Sequence, residues 1–113
     1  SPESLQIFAD RQLVEQVLIN LVKNAGDAVF EQEDARIVLA AKLDLGRTII
    51  SVTDNGPGIP EDELSQVFIP FFTTKREGSG IGLSLSRQIM TAHNGEIAVE
   101  SGDDGAVFRL VFN

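Results

Sequence analysis

The chain has 113 residues, 42% of them hydrophobic and 23% charged, which is an ordinary composition for one soluble globular domain. A formal net charge of −8 argues against nonspecific binding to nucleic acid and to anionic membranes. With no cysteine and one histidine, the sequence excludes disulfides and thiolate metal sites and leaves little scope for a histidine-rich one. It shows neither a membrane-spanning apolar run nor a signal-peptide pattern, so we expect a cytoplasmic domain cut from a longer polypeptide.

A strand over 5–9 and a long amphipathic helix over 10–31, with Asp10 as its N-cap, are the first predicted elements. Asn20, Asn24 and Asp27 fall within about 60° of one another on the polar side of this helix. They form either an ordinary solvated face or a set of oxygens directed at a cation or polar ligand. The second interpretation arises because asparagine is a poor helix former, so helix stability alone does not explain two of them one turn apart. The predicted buried face consists of Leu13, Val14, Val17, Leu18, Leu21, Val22, Ala25, Ala28 and Val29.

Two β-rich runs follow the helix, over 36–43 and 47–54, and the short glycine-containing spacer between them predicts an antiparallel hairpin. The second run ends in a segment, 54–60, that is too rich in turn-forming residues to continue a strand. Acidic residues followed by apolar ones predict a short helix over 61–68. The segment 69–79 matches no regular element, and a loop of this length often serves as a lid.

The remaining predicted elements are a second amphipathic helix over 80–94 and a hairpin with strands over 96–101 and 106–112. Gly95 suits the left-handed position that ends such a helix. The helix is expected to bury Ile81, Leu83, Leu85, Ile89 and Met90. Two long helices are too few to cover both faces of a sheet, so the order predicts a two-layer α/β sandwich. Its other face would be solvated or covered by another domain.

Asp54 ends a strand at the start of a glycine-rich turn. Its carboxylate either bonds the amides of its own loop or accepts a hydrogen bond from a ligand's amino group. Adenine carries an amino group where guanine has a carbonyl, so a buried acceptor would select adenine. Gly56 and Gly58 would let the backbone approach the ring, and Ile59 would supply an apolar wall.

The glycine-rich segment 78–82 runs into the start of the second helix, where free amides and the positive helix end suit phosphate. It lacks the lysine of a Walker-type loop, and a flexible linker is the alternative. Lys75 and Arg76, the only adjacent basic pair, are candidates for neutralising phosphate. His93 is expected to be a helix-end residue without a catalytic role.

Together these segments resemble the ATP-binding catalytic domain of sensor histidine kinases, in the superfamily of gyrase, the heat-shock chaperone of ninety kilodaltons and MutL. Residues 20–25 resemble the N box, 54–59 the first glycine box, 68–72 the F box and 78–83 the second glycine box. The resemblance implies the Bergerat-type ATP-binding fold over residues 1–113. That fold has a mixed, mostly antiparallel sheet with helices on one face, and the ATP lid would span about 69–79.

The resemblance also assigns roles to residues of the four boxes. Asn24 would bind the magnesium ion that bridges the phosphates, and Asp54 would accept from the adenine amino group. Asn20 and Lys75 are the expected catalytic residues, with Lys75 or Lys23 adding positive charge. The residues assigned to ATP are Asn20, Lys23, Asn24, Asp54, Gly56, Gly58, Ile59, Phe71, Thr73, Thr74, Lys75, Gly78, Ser79, Gly80, Ile81, Gly82 and Leu83.

Where ATP-hydrolysing members of the superfamily usually carry a glutamate, this chain has Asn20, a far poorer base. The resemblance therefore favours transfer of the γ-phosphate to a histidine on a separate helical hairpin, with a response regulator downstream. The expected fragment is monomeric, not membrane-inserted and cytoplasmic, whether or not the parent kinase is anchored to a membrane. The alternatives are a kinase that phosphorylates a serine of a partner protein and a nucleotide-sensing module without transfer.

Overall fold

Two long helices pack on one face of a four-stranded antiparallel sheet in the computed structural model, which describes residues 11–70, 82–102 and 104–113. The predicted two-layer α/β sandwich is confirmed. The predicted strand over 5–9 and the Asp10 cap lie outside the described residues. The elements are α1 (Arg11–Ala28), β1 (Ile37–Asp44), β2 (Arg47–Asp54), α2 (Glu61–Leu64), α3 (Gly82–Ala92), β3 (Glu96–Gly102) and β4 (Gly105–Phe112).

The strand order β1-β2-β4-β3 makes β2 and β4 the two central strands of the sheet. Their register pairs Thr53 with Val107, so the end of β2 lies beside the start of β4. Asp54 therefore lies at the end of the central pair of strands, β2 and β4. Within the described ranges, no helix combines the length and the apolar character needed to cross a membrane.

The hydrophobic core lies between the sheet and the two long helices. Every second residue of β4 points into it, as expected for a strand with one covered face. An edge-to-face contact between Phe68 and Phe108, with ring centroids 6.4 Å apart, attaches the chain after α2 to this core. The buried cluster comprises Val17, Leu21, Ala25, Val52, Ile89, Met90, Ala106, Phe108, Leu110 and Phe112.

The buried face of α1 is narrower than the sequence predicts. Val17, Leu21 and Ala25 form a single fully covered row, one residue per turn. Leu13 and Val22 are 42% and 37% exposed, which makes their prediction as buried residues wrong. At 100° per residue the two lie about 180° apart, on opposite sides of this row. Hydropathy marks which residues can be buried but not how much of the helix the neighbouring elements reach.

Two predictions for α3 are also wrong: the burial of Leu85 and the left-handed conformation of Gly95. Leu85 is 41% exposed, whereas Ser86 is fully buried against α1. The left-handed residue that follows the helix is Asn94, with φ 58°, and not Gly95. Gly95 is required for another reason: a Cβ there would stand 2.5 Å from the carbonyl oxygen of Val111. Asparagine tolerates positive φ better than most residues, so Asn94 can take the left-handed position while the glycine occupies the position where a Cβ would clash.

The hairpin between β1 and β2 turns over two residues, one fewer than the spacer suggests. Asp44 pairs directly with Arg47, and both intervening residues, Leu45 and Gly46, have positive φ. This is the geometry of a type I′ turn, which matches the natural twist of a hairpin. A leucine in this conformation is unusual, since its Cβ crowds the backbone.

Candidate functional site

One side of α1 connects the two glycine-rich segments of the candidate site. Near the middle of the helix, Asn20 contacts Gly82 at the start of α3. At the end of the helix, the carbonyl of Ala28 lies against Gly56 in the turn after β2. The eight residue steps from Asn20 to Ala28 span about 12 Å at the helical rise of 1.5 Å per residue. Asn24, which is half-buried, lies between these two contacts.

Asp54 presents a buried carboxylate, 4% exposed, at the end of β2. Its Oδ1 accepts hydrogen bonds from the backbone amides of Gly56 (2.9 Å) and Ala106 (3.4 Å). Among the described residues, both amides reach the same oxygen, so Oδ2 keeps its capacity to accept from a ligand. Asp54 thus bonds the amides of its own loop, as one of the two hypotheses from the sequence holds. The other hypothesis, that it accepts from the amino group of a ligand, stays open because Oδ2 can still accept.

The glycines of this turn are required by close contacts within the protein. A Cβ on Gly56 would lie 2.6 Å from the carbonyl oxygen of Ala28, and one on Gly58 would overlap the carbonyl of Gly102. Gly58 also has a φ of 83°, which disfavours any other residue. These contacts account for both glycines without reference to a ligand. They also fix the turn against α1 on one side and against the β3–β4 hairpin on the other.

Two polar side chains that the sequence did not single out hold the same turn in place. Asn55 accepts a hydrogen bond from the amide of Arg36 (2.8 Å) and donates one to the carbonyl of Asp34 (2.6 Å). Ser101 accepts from the amide of Ile59 at 2.6 Å. The sequence marks Asn55 only as a turn former, and nothing in it identifies Ser101. Ile59 itself is half-buried and packs against the core.

Asn20 is held in a hydrogen-bond network that joins α1 to α3. Its Nδ2 donates to the carbonyl oxygen of Gly82 and to the hydroxyl of Ser86, both at 3.2 Å. The hydroxyl of Ser86 donates in turn to the same Gly82 carbonyl at 2.9 Å. On the exposed side of α1, Oδ1 of Asn20 accepts from Nε2 of Gln16 at 3.1 Å. The sequence indicates Asn20 but not its partners on α3, which lie more than 60 residues away.

Gly82 differs from the glycines of the turn, because the protein leaves room for a side chain there. Among the atoms near an added Cβ, the nearest is Cγ of Asn20 at 3.8 Å, an ordinary contact distance. Packing within the described part of the chain therefore does not demand a glycine at this position. The adjacent Leu83 is half-buried against the core and anchors the first turn of α3.

The described residues also bear on a metal ion. They contain no cluster of three or more histidine, cysteine, aspartate or glutamate side chains that could hold one. Magnesium commonly binds through one or two protein oxygens together with water and substrate phosphates. A single half-buried carboxamide, Asn24, fits such a shared site. Lys23 is exposed beside Leu18, Ile19 and Val22, on the flank of α1.

Several predicted ligand residues fall in a part of the chain that the structure does not describe. Ile69 and Pro70, at the start of the predicted lid over 69–79, are exposed. The predicted residues outside the described ranges are Phe71, Thr73, Thr74, Lys75, Gly78, Ser79, Gly80 and Ile81. His93 has the structural position expected of it, since its Nδ1 lies 2.7 Å from the carbonyl oxygen of Ile89 in the last turn of α3.

Comparison with known proteins gives matches over nearly the whole chain. The sequence profile of the family described as "Histidine kinase-, DNA gyrase B-, and HSP90-like ATPase" matches residues 9–113. The C4-dicarboxylate transport sensor protein DctB of Rhizobium meliloti (strain 1021) is 42% identical over 109 residues, which are 96% of this chain and 18% of the relative. The chain spans between 17% and 32% of the length of the curated relatives that it matches.

Solved structures extend these matches to the fold. The catalytic domain of the histidine kinase ThkA, determined without nucleotide, matches with a TM-score of 0.86 and 40% identity over 99% of this chain and 73% of that one. ThkA in complex with the response regulator protein TrrA gives a TM-score of 0.79 and 36% identity over 99% and 31% of the two chains. Full-length ShkA in complex with AMPPNP gives 0.79 and 32% over 94% and 22%.

Proposed function

This chain belongs to the histidine kinase-, DNA gyrase B- and HSP90-like ATPase family, as an ATP-binding domain of the sensor histidine kinase type, and we propose that it binds Mg-ATP and presents the γ-phosphate for transfer to a histidine on a separate helical hairpin. The observation that supports this most directly is the layout of α1. It links the turn after Asp54 to the start of α3 across about 12 Å, with Asn24 between them.

The adenine end of the proposed site is the turn after β2. Oδ2 of Asp54 accepts from the adenine amino group, while the backbone amides on Oδ1 hold the carboxylate in place. A guanine carbonyl at the same position would face this acceptor and leave it unpaired, which would disfavour GTP. Ile59 provides the apolar side of the base pocket, with Gly56 and Gly58 setting the path of the backbone.

The phosphate end is the start of α3 together with the polar side of α1. Backbone amides at a helix start favour anions, so the segment from Gly78 to Leu83 cradles the phosphates, through the amides of Gly80 and Gly82 in particular. Asn24 would hold the magnesium ion through its carboxamide oxygen, and the ion would supply positive charge to the phosphates. With a net charge of −8, the domain depends on this metal and on Lys75 or Lys23 to offset the triphosphate.

Transfer is favoured over hydrolysis by the chemistry of Asn20. A carboxamide has no useful basicity, so it cannot activate water as a glutamate would. Its nitrogen is moreover engaged by Gly82 and Ser86. Catalysis then rests on positioning the γ-phosphate and neutralising its charge, which leaves the accepting nucleophile to another domain. The lid over 69–79, with Phe71, Thr73 and Thr74, closes over the nucleotide in this proposal.

The proposed partners follow from the same mechanism. The phosphoacceptor hairpin belongs to the parent kinase, and a response regulator accepts the phosphoryl group downstream. The solved complex of ThkA with TrrA supports a pairing of this kind. The domain is proposed to act in the cytoplasm as a monomer that is not inserted into a membrane, and its acidic charge disfavours nucleic acid as a partner.

Calorimetry on the 113-residue chain tests the binding part of this proposal. Mg-ATP should bind at least about tenfold more tightly than Mg-GTP, because the acceptor at Asp54 matches only adenine. Equal affinities for the two nucleotides would contradict the assigned base pocket. The transfer part is tested by incubating the parent kinase, hairpin included, with ATP labelled at the γ-phosphate. An acid-labile phosphoprotein is expected, and an acid-stable label would indicate a serine kinase instead.

A further inference from the structure

Resting on the proposed function, we infer that Ser86 is a positioning residue for the phosphate end of the site, where it fixes the orientation of the Asn20 carboxamide. Ser86 belongs to none of the four sequence motifs, and it is fully buried between α1 and α3. In the described chain, its hydroxyl bonds to Asn20 and Gly82, the residues that border the proposed phosphate site.

Hydrogen-bond chemistry allows one orientation of Asn20. The carbonyl oxygen of Gly82 can only accept, so the carboxamide atom 3.2 Å from it must be the nitrogen. The hydroxyl of Ser86 spends its single hydrogen on the same carbonyl, so its oxygen can only accept from Asn20. Both partners on α3 therefore require the nitrogen of Asn20 to face them.

The opposite end of Asn20 is then defined as well. Its Oδ1 faces the exposed side of α1, where Gln16 donates to it. Gln16 has an amide that can present either a donor or an acceptor, so it adapts to Asn20 and does not select its orientation. The oxygen of Asn20 retains a second lone pair for a metal-bound water or a ligand donor. Ser86 thus acts on the ligand through Asn20.

Removal of the hydroxyl should weaken this arrangement without removing a ligand contact. In Ser86→Ala, Gly82 is the one remaining α3 group that orients Asn20, and the affinity for Mg-ATP should fall about threefold to tenfold, the effect of one net hydrogen bond. Adenosine has no phosphate, so its affinity should stay the same. Ser86→Cys fills the same space but supplies only a weak donor. It replaces Ser86→Ala in the test if the alanine variant does not fold, and the same loss of Mg-ATP affinity is expected.

Ser84→Ala is the matched control. Ser84 is also a buried serine of α3, yet it lies about 200° around the helix from Ser86, where it lines a surface depression with Phe68 and Arg87. Its replacement should leave the affinity for Mg-ATP unchanged. The decisive measurement is a double-mutant cycle, because a residue that acts through Asn20 has nothing to act on in an Asn20→Ala background. There, Ser86→Ala should produce no further loss of affinity.

The outcomes separate this inference from the proposed function. If the unchanged chain fails to bind Mg-ATP, both are overturned. If the unchanged chain binds Mg-ATP and Ser86→Ala binds it equally well, only the role of Ser86 is overturned. An equal loss of Mg-ATP and adenosine binding, or an undiminished loss in the Asn20→Ala background, would also overturn it, since either result indicates a general effect on packing.

Discussion

The carboxylate of Asp54 accepts a hydrogen bond from the backbone amide of Ala106 on the neighbouring central strand, 52 residues away in sequence. The sheet as well as the local turn therefore orients this side chain. A ligand that binds to Asp54 meets an acceptor whose direction was set when the sheet formed.

Asp54→Asn should weaken binding of adenine nucleotides by at least about tenfold, or ~1.4 kcal/mol, with the fold retained. The amides of Gly56 and Ala106 would hold the carboxamide oxygen in the place of Oδ1. The amino group would then occupy the position of Oδ2 and meet the adenine amino group donor to donor. Calorimetry measures the loss, and Asp62→Asn, on the exposed surface of α2, controls for the change of charge. Unchanged affinity would refute the role of Asp54.

Asn24→Ala should affect the triphosphate more than the nucleoside. If Asn24 binds the magnesium that bridges the phosphates, its loss removes a contact that adenosine never makes. Titrations of Mg-ATP and adenosine into the same variant measure both effects in one protein. Equal losses for the two ligands would contradict the metal assignment.

Gly82→Ala and Gly56→Ala should fail in different ways. Within the described part of the chain, a methyl group at Gly82 meets no atom closer than 3.8 Å, so the variant should fold and lose affinity for ATP but not for adenosine. At Gly56 the same group would press on the Ala28 carbonyl, and the free energy of unfolding should fall by about 1–3 kcal/mol. Urea denaturation alongside calorimetry distinguishes the two results. Normal ATP affinity in Gly82→Ala would show that the phosphates do not approach this residue.

Leu45→Asn should stabilise the fold by about 0.5–1 kcal/mol, because asparagine adopts positive φ more readily than leucine in a type I′ turn. Leu45 is 88% exposed, so its removal sacrifices almost no packing. Leu43→Asn is the comparison, since Leu43 is also exposed but lies within β1. Denaturant midpoints should move in opposite directions for the two variants. A shift of Leu45→Asn towards lower stability would argue against the turn explanation.

The order of elements and much of the fold were predictable from the sequence, because the signals that define them are local. The strand over 47–54 ends where predicted, since a run of turn formers follows Asp54 directly. The first helix ends at Ala28, before the predicted limit of 31. Val29 and Phe30 continue the apolar pattern although the chain has already turned, so periodicity alone overestimated the helix.

The connections that support the candidate site were less predictable. Asp54, Asn55 and Gly56 belong to a recognisable motif, but the supporting contacts of Asn55, Ser86 and Ser101 are with partners that are distant in the sequence. A buried serine in an amphipathic helix carries no signal of its own, because its value depends on which side chain faces it. The choice of Leu85 over Ser86 as a buried residue failed for this reason.

The tight contacts of Gly56, Gly58 and Gly105 have a consequence for large-scale mutagenesis of this domain. A Cβ at Gly105 would overlap the backbone carbonyl of Asp54, as one at Gly58 would overlap that of Gly102. In a screen that scores only signalling output, variants at these positions would look like losses of ATP contacts. A parallel measurement of protein abundance in the same cells should reassign them as variants that do not accumulate, and should leave Asp54 and Gly82 as the positions where abundance and output diverge.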